Sequence, residues 1–188
     1  MGANIVANYL GLEGPQCFIK AAVCVQPPMK MWETGNNIRH GNWGFFNYAL
    51  GRNVKVKFDG LANQEFREIF KATHGLDLKD VLEKSRTIID IDSNLTSKVF
   101  GFGTVENYYD KASCVHRLPS IKIPTFIMMA LDDPVIGKNS IDRDVCSANP
   151  YILLGVTEQG GHLGYFESIM STDQWFPQPA LEFLNSFK

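Results

Sequence analysis

The sequence predicts an α/β fold with a parallel sheet. Three observations carry that expectation. Apolar runs alternate with stretches of helical spacing, turn signals close the runs, and 45% of the residues are hydrophobic, enough for a sizeable core. Strands buried on both faces read as near-continuous apolar runs, and these runs have that character. The order along the chain is helix, strand, long insert, strand, helix, strand, helix. It implies about three parallel strands joined by right-handed crossovers.

Residues Ala3 to Leu12 predict the first helix, with Ile5, Val6, Tyr9 and Leu10 at helical spacing and Gly11 and Gly14 near its end. The run "CFIKAAVCVQPP", closed by Pro27 and Pro28, reads as a buried strand. "IKIPTFIMMALDDP" is a second such run, ending in the turn signal Asp133-Pro134. "SIDRDVCSANP" reads as a helix with Ser140 as candidate cap, "YILLGVT" as a third buried strand, and "QWFPQPALEFLNSF" as a closing amphipathic helix entered through prolines. Between the first and second strands lie "HGNWGFFNYAL", "NQEFREIFKATHG", "DLKDVLEKSRTIIDID" and "VFGFGTVENYYDKAS". They read as mainly helical with glycine punctuation. Residues 1–28 and 119–188 are therefore expected to form the α/β core, and residues 29–118 a cap insert.

A net charge of −2 over 188 residues, without runs of Lys or Arg, argues against nucleic acid or an anionic membrane surface as the main partner. No stretch reaches the roughly 18 consecutive apolar residues of a membrane span. The start of the chain lacks the basic and apolar regions of a signal peptide. Cys17, Cys24, Cys114 and Cys146 form no C-x-x-C pair, which speaks against zinc; a reducing compartment is the simpler reading.

Two stretches carry chemistry. "ALDDPVIG" places an acidic pair, Asp132 and Asp133, at the carboxyl end of a strand, where open α/β sheets build their sites. "EQGGHLGYFES" follows the last strand; Gly160 and Gly161 permit a sharp turn, and His162 then projects from a loop. Taken singly, Asp-Pro is a turn signal and a loop histidine a solvated side chain. Taken together, the 29 residues from Asp133 to His162 hold one helix and one strand, so both residues fall at the same edge of adjacent parallel strands. An acid that orients a histidine is two-thirds of a nucleophilic triad, and a paired carboxylate oxygen is expected roughly 2.6–3.2 Å from the ring nitrogen.

The stretches "MGANIVANYLG", "FGFGTVENYYDKAS", "LPSIKIPTFIMMALDDPVI" and "GGHLGYFE" resemble the two-domain esterase/lipase branch of the α/β-hydrolases. That branch includes the bacterial YheT-type hydrolases and the eukaryotic membrane-anchored abhydrolase-domain lipases. The resemblance spans Met1 to Glu167 and is weakest through about Asn53 to Lys84. It implies that His162 is the general base and that Asp133, rather than Asp132, orients it, with Asp132 capping or stiffening the turn. It also implies a serine at a G-x-S-x-G elbow, in the chain order serine, acid, histidine. "MG" followed by a helix then reads as the last two positions of that elbow. Gly2 is its final glycine, and the backbone N–H of Met1 is one oxyanion-hole donor.

On that reading the sequence is the C-terminal portion of a serine hydrolase cleaving carboxylic esters, with acylglycerols or phospholipids as candidate substrates. Its nucleophile precedes Met1, and the parent has room for an N-terminal membrane anchor. No cofactor and no metal are implied. The aromatic residues Trp32, Trp43, Phe45, Phe46, Phe100, Phe102, Tyr108 and Tyr109 are expected to bury the cap against the sheet domain, with an acyl channel as the other use of apolar walls. The rival reading is a non-catalytic product that binds an apolar ligand or a partner.

Overall fold

The computed structural model describes residues 1–168 and 170–188. In chain order the main elements are α1 (Gly2–Glu13), β1 (Ala22–Val25), α2 (Met31–His40), α3 (Phe45–Leu61), α4 (Gln64–His74), α5 (Leu78–Lys84), α6 (Ile88–Ile91), α7 (Ser97–Val99), α8 (Val105–Ala112), β2 (Thr125–Ala130), α9 (Arg143–Ser147), β3 (Ile152–Thr157) and α10 (Pro177–Asn185). They divide into two compact units. One comprises Met1–Asn37 and Asp110–Lys188, the other Ile38–Tyr109. These bounds fall inside the 29–118 span expected for the insert.

The first unit holds a parallel sheet in the order β1-β2-β3, the part of an α/β-hydrolase fold that the sequence predicts. The register sets Cys24 beside Ile127 and Ile127 beside Leu154. Side chains alternate across a strand, so the sheet has two apolar faces. One face carries Cys24, Ile127 and Met129, which pack with Ala7 and Leu10 of α1 and Cys146 of α9. The other carries Phe126, Met128 and Ala130, which pack with Tyr165, Trp175, Phe176 and Phe183 of the C-terminal segment. All six residues of β2 are buried, as a central strand with two covered faces requires.

The first strand is shorter than its apolar run predicts. Ladder pairing begins only at Ala22, and Phe18 is 84% exposed. The helix after β2 is capped differently as well. Asp142, not Ser140, accepts the hydrogen bond from Val145 N at 3.0 Å. Ser140 is fully buried, and its hydroxyl oxygen accepts from Lys30 N at 3.0 Å, tying the segment after β1 to the segment after β2. A carboxylate is the stronger acceptor for the exposed N–H groups of a helix start, and the buried hydroxyl has a second partner at hand.

The second unit, Ile38–Tyr109, is helical. Asn63 caps α4 through Phe66 N at 2.8 Å, Asp77 caps α5 through Asp80 N, and Thr87 and Asp90 form a capping box on α6. Its core is aliphatic: Leu78, Val81, Leu82, Ile91 and Leu95 close around Ala62. Trp43, Phe45 and Phe100 are exposed, while Tyr109 is buried and its hydroxyl donates to Asp92 at 2.9 Å.

Strand β1 pairs only with β2 among the described residues, so it forms one edge of the sheet. Its sequence, AVCV, carries neither proline nor charge to blunt that edge. Open apolar edges invite pairing with other chains. Light scattering on the 188-residue polypeptide is therefore expected to detect self-association. A monodisperse monomer with cooperative thermal unfolding would count against an open edge.

Candidate active site

All three strands deliver their next residues to the same, carboxyl edge of the sheet, because they are parallel. After β2 comes the turn Leu131-Asp132-Asp133-Pro134. The Asp133 side chain is only 1% exposed. Its Oδ1 accepts from Val135 N at 2.7 Å and from Ile136 N at 2.9 Å. This side-chain turn fixes the carboxylate and leaves Oδ2 directed elsewhere. After β3 the chain turns through Gly160 and Gly161, and His162 follows. Its Nδ1 lies 2.9 Å from Asp133 Oδ2, inside the range expected for an oriented imidazole.

That contact decides the ring's chemistry. An ionised carboxylate only accepts, so Nδ1 carries the proton and donates it to Asp133. In the neutral ring Nε2 is then the basic nitrogen. A third of the His162 side chain is exposed, so the ring is anchored at one end and accessible at the other. A cleft of about 570 Å³ adjoins it, lined in part by Asp132, Gly160, Tyr165, Phe166, Glu167 and Trp175. The arrangement can take a proton from a group presented to Nε2 and then return it.

Asp132 does not stiffen its own turn; Asp133 does that. The Asp132 carboxylate reaches across to the next loop, where Oδ1 accepts from Gly161 N at 2.8 Å. Gln26, the residue just past β1, reaches the same loop, with Nε2 donating to Gly161 O at 2.8 Å. Sequence reasoning passed over Gln26. The signal available was its position, a polar residue directly after a buried strand at the edge where such sheets place their sites.

The loop itself depends on glycine at Gly160. A Cβ there would lie 2.6 Å from Cε1 of Tyr165, whose ring is buried beneath the turn. Burial, followed by the charges of Asp133 and Asp132, raises the Tyr165 phenol above its ordinary pKa, so it stays protonated.

Met1 stands at the N-terminal end of α1, where its carbonyl accepts from Asn4 N at 2.9 Å. Asn4 also bonds Ala112 O at 2.8 Å and Cys114 N at 3.1 Å, and touches Met31 beyond β1. These ties hold the start of α1 near the edge to which the strands run. The four cysteines are free thiols. Burial raises Cys24 and Cys114 to about 12, so both are inert hydrophobes. Among the described residues no group of three metal-binding side chains occurs, and no helix is long and apolar enough to cross a membrane.

No protein-family model matches the sequence. It is similar to a monoacylglycerol lipase of Saccharomyces cerevisiae, 34% identical over all of this chain and 41% of that protein. An abhydrolase domain-containing protein of Dictyostelium discoideum is 31% identical over all of this chain and 46% of its own length. Phospholipase ABHD3 of Bos taurus is 30% identical over 90% of this chain and 39% of that protein. The chain thus spans about two fifths of the length of the curated relatives it matches. A parallel sheet with its acid and imidazole meeting at the carboxyl edge, and a likeness running the length of the sequence, make this chain a member of the α/β-hydrolase superfamily.

Proposed function

We propose that this sequence carries the acid and base of a serine hydrolase that cleaves carboxylic esters, with acylglycerols and phospholipids as the substrate class. The observation that carries the reading is the Asp133–His162 contact of 2.9 Å, made by a carboxylate whose other oxygen is already held by two backbone N–H groups. The names of the relatives, monoacylglycerol lipase and phospholipase, support esters of glycerolipids over other acyl compounds.

In this reading the serine lies outside these residues, directly before Met1, and α1 is the helix that leaves the nucleophile turn. His162 Nε2 takes the serine proton as the hydroxyl attacks the ester carbonyl. It then protonates the leaving alcohol, and the same nitrogen activates water to release the acid. Asp133 holds the tautomer and stabilises the imidazolium. The Met1 N–H donates to the oxyanion. Residues 29–118 form the cap insert.

A fluorophosphonate probe tests the assignment, because it labels only an activated serine. The 188-residue polypeptide is expected to remain unlabelled. The same sequence extended upstream through an in-frame G-x-S and its preceding strands is expected to label stoichiometrically. Labelling of the short chain would show that the nucleophile is elsewhere. A lack of labelling in the extended protein would favour a non-catalytic role.

A further inference from the structure

His162 follows two glycines, the pair of residues with the widest backbone freedom. A base reached through Gly160-Gly161 wanders unless something else restrains that turn, and catalysis needs it held to a fraction of an ångström. The structure supplies restraints on both sides of the Gly161 Cα. Asp132 accepts from its N–H at 2.8 Å, and Gln26 donates to its carbonyl oxygen, in the peptide that joins Gly161 to His162, also at 2.8 Å. Together they fix the φ and ψ of Gly161, which sits in the left-handed region at φ 59°. A third bond, from Tyr165 N to Gly160 O at 2.8 Å, closes the loop behind them.

Gln26 is an awkward residue to keep for packing alone. Its side chain is buried, with the residue 1% exposed. Its backbone is left-handed at φ 50°, unfavourable for a residue with a Cβ. Its Oε1 has no hydrogen-bond partner among the described residues, and burying an amide oxygen unpaired is unfavourable. A methionine of similar volume would relieve the last of these and fill the same space. What methionine cannot do is donate to Gly161 O. Strain kept next to a candidate site points to a role there.

We propose that Gln26 and Asp132 are positioning residues, a two-sided clamp on Gly161 that sets where His162 stands. The inference rests on His162 being the catalytic base, and it joins the ends of all three strands: Gln26 after β1, Asp132 after β2 and Gly161 after β3.

The test compares Gln26→Met, Asp132→Ala and Asp132→Asn with the wild type by two readouts. The first is hydrogen exchange, by mass spectrometry on the 188-residue chain, of the peptide covering residues 159–164. The second is steady-state hydrolysis of a p-nitrophenyl ester by the serine-bearing protein. Gln26→Met and Asp132→Ala are expected to speed exchange in that peptide about tenfold and to lower kcat by about 10–100-fold with KM within twofold, the cost of a base displaced by about 1 Å. Gln26→Met is expected to melt no lower than the wild type. Asp132→Asn, whose amide oxygen can still accept from Gly161 N, is expected to restore most of both signals. Unchanged exchange and kcat in Gln26→Met and Asp132→Ala, with His162→Ala inactive, would overturn the clamp and leave the base in place. A fall in kcat that merely tracks a lowered melting temperature would also overturn it. Full turnover by His162→Ala would overturn the catalytic reading, and exchange then reports on the clamp independently.

Discussion

Replacing His162 by alanine in the serine-bearing protein is expected to lower kcat for a p-nitrophenyl ester by about 10⁴-fold or more, since triad members act as a unit. Asp133→Asn is expected to cost about 10³–10⁴-fold. The reason lies in the hydrogen bonds. Asp133 Oδ1 accepts from two backbone N–H groups, so an asparagine keeps its oxygen there and turns its NH₂ toward His162. That amide donates to Nδ1 and forces the proton onto Nε2, leaving no basic nitrogen for the serine. Asp132→Asn is expected to do much less, because its partner is a backbone N–H that an amide oxygen serves equally well. Equal losses at the two aspartates would show that the choice of acid is unjustified. Retained activity in His162→Ala would remove the base altogether.

Gly11→Ala is expected to destabilise the fold, against the rule that alanine improves a helix. Gly11 lies within α1, and a Cβ there would fall 2.3 Å from the carbonyl oxygen of Arg117 and 2.6 Å from its Cβ. Neither atom is the end of a flexible side chain. Arg117 is followed by Leu118 and Ile121, both fully buried, so the neighbour cannot retreat without disturbing the core. Overpacking of this kind costs about 1–3 kcal/mol and occasionally more. The helix-propensity gain returns only about 1 kcal/mol. A net loss of about 1 kcal/mol should lower Tm by roughly 2–4 °C in a chain of this size. Gly60 in α3 is the control. Nothing lies within 4 Å of its added Cβ and its backbone is ordinary helix, so Gly60→Ala should raise stability by about 0.5–1 kcal/mol. A circular dichroism melt of Gly11→Ala at or above the wild-type Tm, alongside a stabilised Gly60→Ala, would show that the close approach of α1 to Arg117 is wrong.

The strand order was legible because burial on both faces leaves a mark in sequence. "IKIPTFIMMALDDP" and "YILLGVT" contain β2 and β3, but only β2 is the buried strand expected: β3 pairs only with β2 among the described residues, none of its residues is fully buried, and Leu153 is 54% exposed. The same rule overreached at "CFIKAAVCV", since an apolar run does not say where ladder pairing starts, and Phe18 lies outside the sheet. Capping was misassigned at Ser140 because serine caps helices in general, and only the folded chain brings Lys30 N within reach of its hydroxyl. The meeting of Asp133 and His162 was legible because each follows a strand directly and parallel strands end on one edge.

By itself, then, the sequence determined the α/β class, the three strands and the edge at which an acid and a histidine would meet. These follow from local apolar periodicity and from the direction of parallel strands, both of which are written along the chain. The tertiary structure decided which oxygen of Asp133 faces the ring, that Asp132 serves the histidine loop rather than its own turn, and that Gln26 belongs to the site at all. Those are choices among hydrogen-bond partners. Gln26 and Gly161 stand 135 residues apart, and a side-chain amide has no local preference that names a partner at such separation. Only the packed sheet, by bringing three strand ends together, makes one pairing better than the rest.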